Sequence, residues 1–224
     1  MIKAVIFNID GTLVDSVDLH AQAWKEAFKH FGKDIPYQQM RHQIGKGGDQ
    51  LMPVFFTHEE LDEFGKRMEK FRSELFKREF LSRVRAFPKV RELFERIKED
   101  GKEIALASSA KDEEIDFYRK LLRIEDLVEA EAGADDAEKS KPHPDIFQAA
   151  LERLDVRPAE AIAVGDTPYD ADAAGRLRIK TIGMRCGGFP EAELIAAGCI
   201  AIYDDPADLL ARYEESMLRQ KEKV

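Results

Sequence analysis

The sequence predicts an α/β protein with a doubly wound, mostly parallel sheet and a helical segment inserted early in the chain. Three observations carry this expectation. Short β-rich runs alternate with longer amphipathic ones, the pattern of βαβ units. Several of the short runs are almost continuously apolar, as in strands covered by helices on both faces. Residues 15–83 break the alternation, with helical periodicity and no convincing strand.

In chain order, residues 2–7 (IKAVIF) read as the first core strand. In 15–83, His20, Ala23, Trp24, Ala27, Phe28 and Phe31 share one helical face, and Leu61, Phe64, Met68, Phe71 and Leu75 share another. Both stripes read as packing surfaces. Pro88 and Gly101 bracket a helix over Val90–Glu99. Strands are expected at Glu103–Ala107, 161–164, Lys180–Met184 and Cys199–Tyr203, with a weaker one at 127–130. Helices are expected at Asp112–Leu122 and 144–154, and the final MLRQKEKV reads as a charged, fraying tail. No internal repeat or low-complexity linker is visible. The division is a core of 1–14 plus 84–224 and a helical cap of 15–83.

Composition narrows the function. A chain of 224 residues with 44% hydrophobic content can build a core, and its net charge is −9. That charge argues against a nucleic-acid or anionic-membrane binder, because phosphate backbones attract basic surfaces. No apolar run of about 20 residues is present to span a membrane. Cys186 and Cys199 form no CxxC and have no nearby His, which excludes a zinc motif and fits a reducing cytoplasm. The first residues read as a core strand and not as a signal peptide.

In open parallel sheets, ligands bind at the carboxyl ends of the strands. The polar residues just past each strand are therefore the candidates. They are Asn8, Asp10, Gly11 and Thr12; Ser108 and Ser109; and Asp166 with Asp170, while Lys141 lies in SKPHPDIF before a helix. Taken singly, such residues cap helices or sit in solvent. Together they put carboxylates, hydroxyls and an ammonium on one rim. Carboxylates without a Cys or His cluster suit a hard cation, and Mg²⁺ beside a phosphate is the natural choice. Ser108 and Lys141 would then neutralise phosphate oxygens.

The runs FNIDGTLVDS, LASSA, KSKPHPDIF and GDTPYDADAA, in this order, resemble the four motifs of the haloacid dehalogenase superfamily. Within it the chain is similar to the branch of phosphoglycolate phosphatases and β-phosphoglucomutases, and the likeness extends over nearly the whole chain. It implies a Rossmann-like core with a helical cap. It implies a nucleophilic Asp at position 8, Asp10 as acid/base whose carbonyl also holds Mg²⁺, and Ser108 and Lys141 as phosphate ligands. Asp166 would be the acidic Mg²⁺ ligand and Asp170 a further ligand or supporting acid. Asp at position 10 favours phosphate chemistry, since the dehalogenase branch typically carries Tyr there.

The chain departs from that pattern at Asn8. An amide oxygen is a weak nucleophile and cannot give the ordinary aspartyl-phosphate. The change also removes a negative charge from the cation's surroundings and from beside Asp10. Two explanations stand: an engineered inactive form of an active parent, which is the favoured one, and a natural paralogue that binds a phosphometabolite without hydrolysing it.

In the cap, IGKGGDQL places Lys46 among three glycines, a loop able to reach an anionic group or to serve as a plain turn. His20, in HAQAW, resembles a cap-hinge His of the mutase branch and equally suits packing beside Trp24. The expected function is Mg²⁺-dependent hydrolysis of a small phosphomonoester in the parent that carries an aspartate at position 8. The alternatives are a sugar phosphomutase and a non-catalytic phosphometabolite binder. The expected partner is a small phosphorylated metabolite, with no nucleic acid and no membrane, for a cytoplasmic monomer or homodimer.

Overall fold

The computed structural model describes residues 1–219. The chain runs β1 (Ala4–Phe7), β2 (Val14–Asp15), α1 (Val17–His30), α2 (Tyr37–Arg41), α3 (Gly48–Leu51) and α4 (His58–Leu75). It continues through β3 (Arg85–Ala86), α5 (Val90–Glu99), β4 (Glu103–Ala107), α6 (Asp112–Leu122), β5 (Ala130–Ala132) and α7 (Asp145–Leu154). It closes with β6 (Ala161–Gly165), α8 (Pro168–Arg176), β7 (Lys180–Met184), α9 (Glu191–Ala196), β8 (Cys199–Tyr203) and α10 (Pro206–Ala211).

Six strands form a parallel sheet in the order β5-β4-β1-β6-β7-β8. The chain starts in the middle, builds outward to one edge, then returns and builds to the other. That is the doubly wound arrangement, and its crevice lies where the order reverses, beside β1.

Side-chain size sorts the two faces. Val5, Phe7, Ile104, Leu106, Ile162 and Val164 point into one core, which holds Phe94 and Ile97 of α5 and Tyr118 of α6. The alternate positions are mostly alanine, namely Ala4, Ala105, Ala107, Ala161 and Ala163, and they lie against Phe147 and Leu151 of α7 and Ala173 of α8. Strand periodicity of two places the bulk on one side and lets helices approach closely on the other.

The segment between β1 and β4 carries its own core of Trp24, Phe28, Met40, Leu51, Phe56 and Met68. Phe31, Leu61, Phe64 and Phe71 of the two stripes pack around it half-buried. Thr57 starts α4 with a reciprocal cap: its Oγ1 accepts from Glu60 N at 3.3 Å and its own N donates to Glu60 Oε2 at 2.7 Å.

Several expectations are corrected. No strand was expected near the ends of the helical segment, yet Val14 and Asp15 pair antiparallel with Ala86 and Arg85. The edge strand lies at Ala130–Ala132 and not at 127–130, because its register against Ala105–Ala107 begins only at Ala130. Helix α7 begins at Asp145 and not at 144, with Pro144 as its cap residue. The start of the expected fraying tail is anchored: Leu218 is buried in the main core, and Arg219 pairs with Glu214 and Asp100. Residues 220–224 of that tail lie outside the described residues. No helix among the described residues is long and apolar enough to cross a membrane.

Candidate active site

The loops leaving β1, β4 and β6 meet at the crevice, with Asn8 at their centre. Lys141 Nζ donates to Asn8 Oδ1 at 2.8 Å and to Ala107 O at 3.0 Å, and it pairs with Asp170 Oδ1 at 2.7 Å. The ammonium is 1% exposed, so these three contacts replace its water. Because Lys141 can only donate, the Asn8 oxygen faces it and the amide nitrogen faces the other way. There Nδ2 donates to Asp10 O at 2.9 Å and Asp166 Oδ1 at 2.9 Å, with Thr12 Oγ1 at 3.3 Å. Thr12 Oγ1 in turn donates to Asp166 Oδ1 at 2.8 Å.

Asp170 serves two partners. Besides Lys141, its Oδ2 accepts from Thr167 N at 3.0 Å and Thr167 Oγ1 at 2.7 Å, closing the first turn of α8. Ser108 is buried at the end of β4, where its Oγ accepts from Ala110 N at 3.1 Å and keeps its own proton to donate. Gly11 lies in the left-handed region at φ +79, and a Cβ there would come 2.2 Å from Asp166 Oδ2. Only glycine allows that approach.

Asp10 projects toward the helical segment. Its Oδ1 accepts from Ser16 Oγ at 2.7 Å and meets His20 Nε2 at 2.8 Å. His20 is buried, stacks on Phe76 at 4.0 Å, and meets Arg72 through Nδ1. Arginine has no acceptor, so Nδ1 must accept; the imidazole proton therefore sits on Nε2 and is donated to Asp10. Burial alone would raise the Asp10 carboxyl, but His20 and the Ser16 and Tyr118 hydroxyls outweigh it and hold the group at about 2.

Between core and helical segment lies a cavity of about 90 Å³. Asn8, Asp10, Ser109 and Lys111 line its floor; His20, Trp24, Lys46, Glu69 and Arg72 line its roof. Lys46 Nζ donates to Gln43 Oε1 at 2.6 Å and lies 4.7 Å from the centre of the Tyr169 ring. Its half-burial lowers the ammonium pKa. The roof is closed onto the core: Ser140 N donates to Asp49 Oδ2 at 3.1 Å and Tyr169 Oη to His42 O at 2.7 Å. A Cβ on Gly47 would lie 2.0 Å from Ser140 Oγ, so the glycine-rich loop is what lets the two parts touch.

Asn8, Asp10, Thr12, Lys141, Asp166 and Asp170 thus form one network, to which His20 connects through Asp10. Ser109 and Lys46 lie on the cavity, and Ser108 flanks the network without bonding to it. Sequence reasoning missed Arg72, Ser16, Glu114 and Tyr118. Ser16 stands in the quoted motif, and its position just before α1 was the available signal. Arg72 has none, because it sits on a helix face far along the chain.

The oxygens here suit Mg²⁺, but Asn8 does not. Asp166 Oδ2 is buried without a hydrogen-bond partner. Burial, and then the charge of Asp170, push the Asp166 carboxyl up to about 7, a strain that a cation would relieve. The Asp10 carbonyl and Asp166 Oδ1 converge, but on the Asn8 N–H₂ group, a donor where a cation needs a lone pair. Among the described residues, no three His, Cys, Asp or Glu side chains are grouped to hold a metal. As written, the set is two acidic or carbonyl oxygen sources closed by an amide.

A parallel sheet with this reversal, carrying acids past β1 and β6 and a lysine before α7, is the arrangement that the four sequence motifs predict for a hydrolase of the superfamily they resemble. The chain belongs to the haloacid dehalogenase-like hydrolase family, whose model matches residues 5–184. It is 29% identical over 181 residues to a phosphoglycolate phosphatase of Nitrosospira multiformis, covering 77% of this chain and 78% of that one. It is 29% identical over 206 residues to a glyceraldehyde 3-phosphate phosphatase of Pyrococcus furiosus, covering 86% and 85%. A solved hydrolase structure from Pseudomonas syringae superposes with a TM-score of 0.87 at 28% identity, covering 95% of this chain and 98% of that one.

Proposed function

We propose that this site serves Mg²⁺-dependent hydrolysis of a small phosphomonoester in a parent with Asp at position 8, and that the Asn8 chain is a severely impaired form of it. One observation carries the reading. Position 8 lies at the centre of the network: it touches Lys141 through one terminal atom, and the Asp10 carbonyl and the Asp166 carboxylate through the other.

In the parent, a carboxylate oxygen at position 8 attacks phosphorus while the bond to the leaving oxygen breaks, and the phosphoryl group passes to the carboxylate. Asp10 is placed to supply the leaving oxygen's proton and then to take one from the water that hydrolyses the acyl phosphate. Beside Asn8 it is held at about 2 and carries no proton at neutral pH, and the charge of an aspartate at position 8 would raise it toward that role. Ser16 and His20 hold Asp10 Oδ1, which leaves Oδ2 to carry that proton. Lys141 and Ser108 bear on the phosphoryl oxygens. The carboxylate at position 8, the Asp10 carbonyl and Asp166 would hold Mg²⁺, which supplies further charge neutralisation. The roof over the site would restrict the water that competes during transfer.

The completeness of the Asn8 network supports a second reading. The amide bonds Lys141 on one side and Asp166 Oδ1 on the other, so position 8 itself is fully hydrogen-bonded as it stands, which suits a phosphometabolite binder without turnover. The Asn8→Asp variant separates the two. Restored Mg²⁺-dependent phosphate release supports the phosphatase; ester isomerisation without phosphate release marks a mutase. Ester binding with neither activity, in both the Asn and Asp forms, supports the binder.

A further inference from the structure

Arg41, the last residue of α2, crosses from the helical segment to the loop between β7 and α9. Its side chain is 23% exposed, and Nε donates to Asp18 Oδ1 of α1 at 2.6 Å. That bond orients the planar guanidinium, whose Nη2 donates to Gly187 O at 3.1 Å. Gly188 lies against the same group, since a Cβ there would come 2.5 Å from Nη2. The next residue, His42, adds a ring contact to Phe189 at 5.1 Å, and its carbonyl accepts from Tyr169.

The opposite side of this loop lies on the network. A Cβ on Gly187 would come 1.8 Å from Asp166 Oδ2, so the Gly187 backbone lies flat against that oxygen. The loop is tethered on one side, where Cys186 Sγ donates to Gly11 O at 3.1 Å, and on the other by the buried ring of Phe189. Between these tethers, two glycines have no side chain to pack, and the bond from Arg41 holds them in place. Asp166 Oδ2 accepts no hydrogen bond, so its place is set by packing. Asp166 Oδ1 accepts from Asn8 Nδ2 at 2.9 Å. A continuous line of contacts therefore runs from α2 through Gly187 and Asp166 to position 8. Such a line is a coupling when loosening one end changes the other.

We infer that Arg41 is a positioning residue: by holding the 185–189 loop against Asp166, it couples the seating of the helical segment to the hydrogen bonds at position 8. Arg41 acts in this way on a binder as on an enzyme, so its role does not rest on the phosphomonoester reading.

The test uses the unaltered chain, in which Asn8 is the only asparagine among 224 residues. Labelling asparagine side chains with ¹⁵N gives a single N–H₂ pair in the NMR spectrum, and that pair reports the bonds to Asp10 O and Asp166 Oδ1. Its hydrogen exchange should be slow compared with free asparagine. Arg41→Ala should speed that exchange at least about fivefold, the scale of one net hydrogen bond. Arg41→Lys, which keeps a charged donor without the fork, should fall in between. His42→Ala, which removes the ring contact and keeps the carbonyl that Tyr169 bonds, should change exchange by less than about twofold. Exchange as fast as free asparagine in the unaltered chain, no change in Arg41→Ala, or an equal rise in His42→Ala would each overturn the assignment. Thermal melting separates local from general loosening. Faster exchange at an unchanged melting temperature supports the role, and a rise that follows a fall in melting temperature across all the variants overturns it. If Arg41→Ala does not fold, Asp18→Asn takes its place, because it frees Arg41 Nε without touching the loop. Faster exchange in Asp18→Asn supports the role, and unchanged exchange overturns it. An Asn8→Asp form that releases no phosphate counts against the phosphomonoester reading alone, and the exchange measurement still decides the role of Arg41.

Discussion

The floor and the roof of the cavity are built on opposite principles. On the floor, the charges are buried and bonded to one another: Lys141 has three partners, both oxygens of Asp170 are engaged, and only Asp166 Oδ2 lacks a hydrogen bond. On the roof, Arg72 is held by rings and one imidazole nitrogen, and Lys46 by one amide oxygen. Groups that share one network at the floor can act on a reacting phosphorus with little rearrangement. Groups with unused donors at the roof face the cavity from the helical segment, while the matched charges lie on the sheet side.

Breaking the floor should have the larger cost. Lys141→Met would leave the Asp170 carboxylate buried without its counter-ion, and removing one member of such a pair costs about 3–5 kcal/mol. Urea denaturation should show a loss of that order together with loss of phosphate binding. A stability change under about 1 kcal/mol would mean that the pair is not buried in solution.

The contact between floor and roof should show itself in acid. Asp10 is held at about 2 against an ordinary 3.8, so its contribution is fully present above about pH 4 and lost as pH falls through 2. The shift corresponds to about 2 kcal/mol. Between about pH 4 and pH 2, Asp10→Asn should therefore lose less stability than the unaltered chain. Parallel acid curves for the two would contradict the His20 and Ser16 contacts.

The roof alone should give the smallest effect. Gly47→Ala places a methyl group against Ser140, which should pry the loop from the core with a cost of about 1–2 kcal/mol in ester affinity. Most of the fold's stability should remain, since Gly47 belongs to neither hydrophobic core and the sheet core does not depend on the loop. A global loss equal to the loss of affinity would show that the two parts unfold together.

This division also explains what could be read from sequence. The floor residues each follow a parallel strand, and period-two burial makes those strands visible, so Asn8, Ser108 and Asp166 are located by their neighbours alone. Lys141 needed its motif, because it stands in a loop before α7. Strand β5 was displaced in the reading because three residues offer little periodicity, and its register is set by β4. Arg72 was hidden for a different reason. On α4 it looks like any solvent-facing arginine, and only the packing of α4 over α1 brings it to Trp24 and His20. The anchoring of Leu218 was equally hidden among charged neighbours in the tail.

The central claim is that the floor is a phosphoryl-transfer site altered at one terminal group. The most direct measurement is phosphate release by Asn8→Asp and by the unaltered chain, side by side with Mg²⁺, over sugar phosphates, phosphoglycolate and nucleoside monophosphates. The account predicts a rise of about four orders of magnitude or more for at least one ester, the share a covalent nucleophile typically supplies. No release by the variant on any ester, with Mg²⁺ bound and the fold intact, would contradict it.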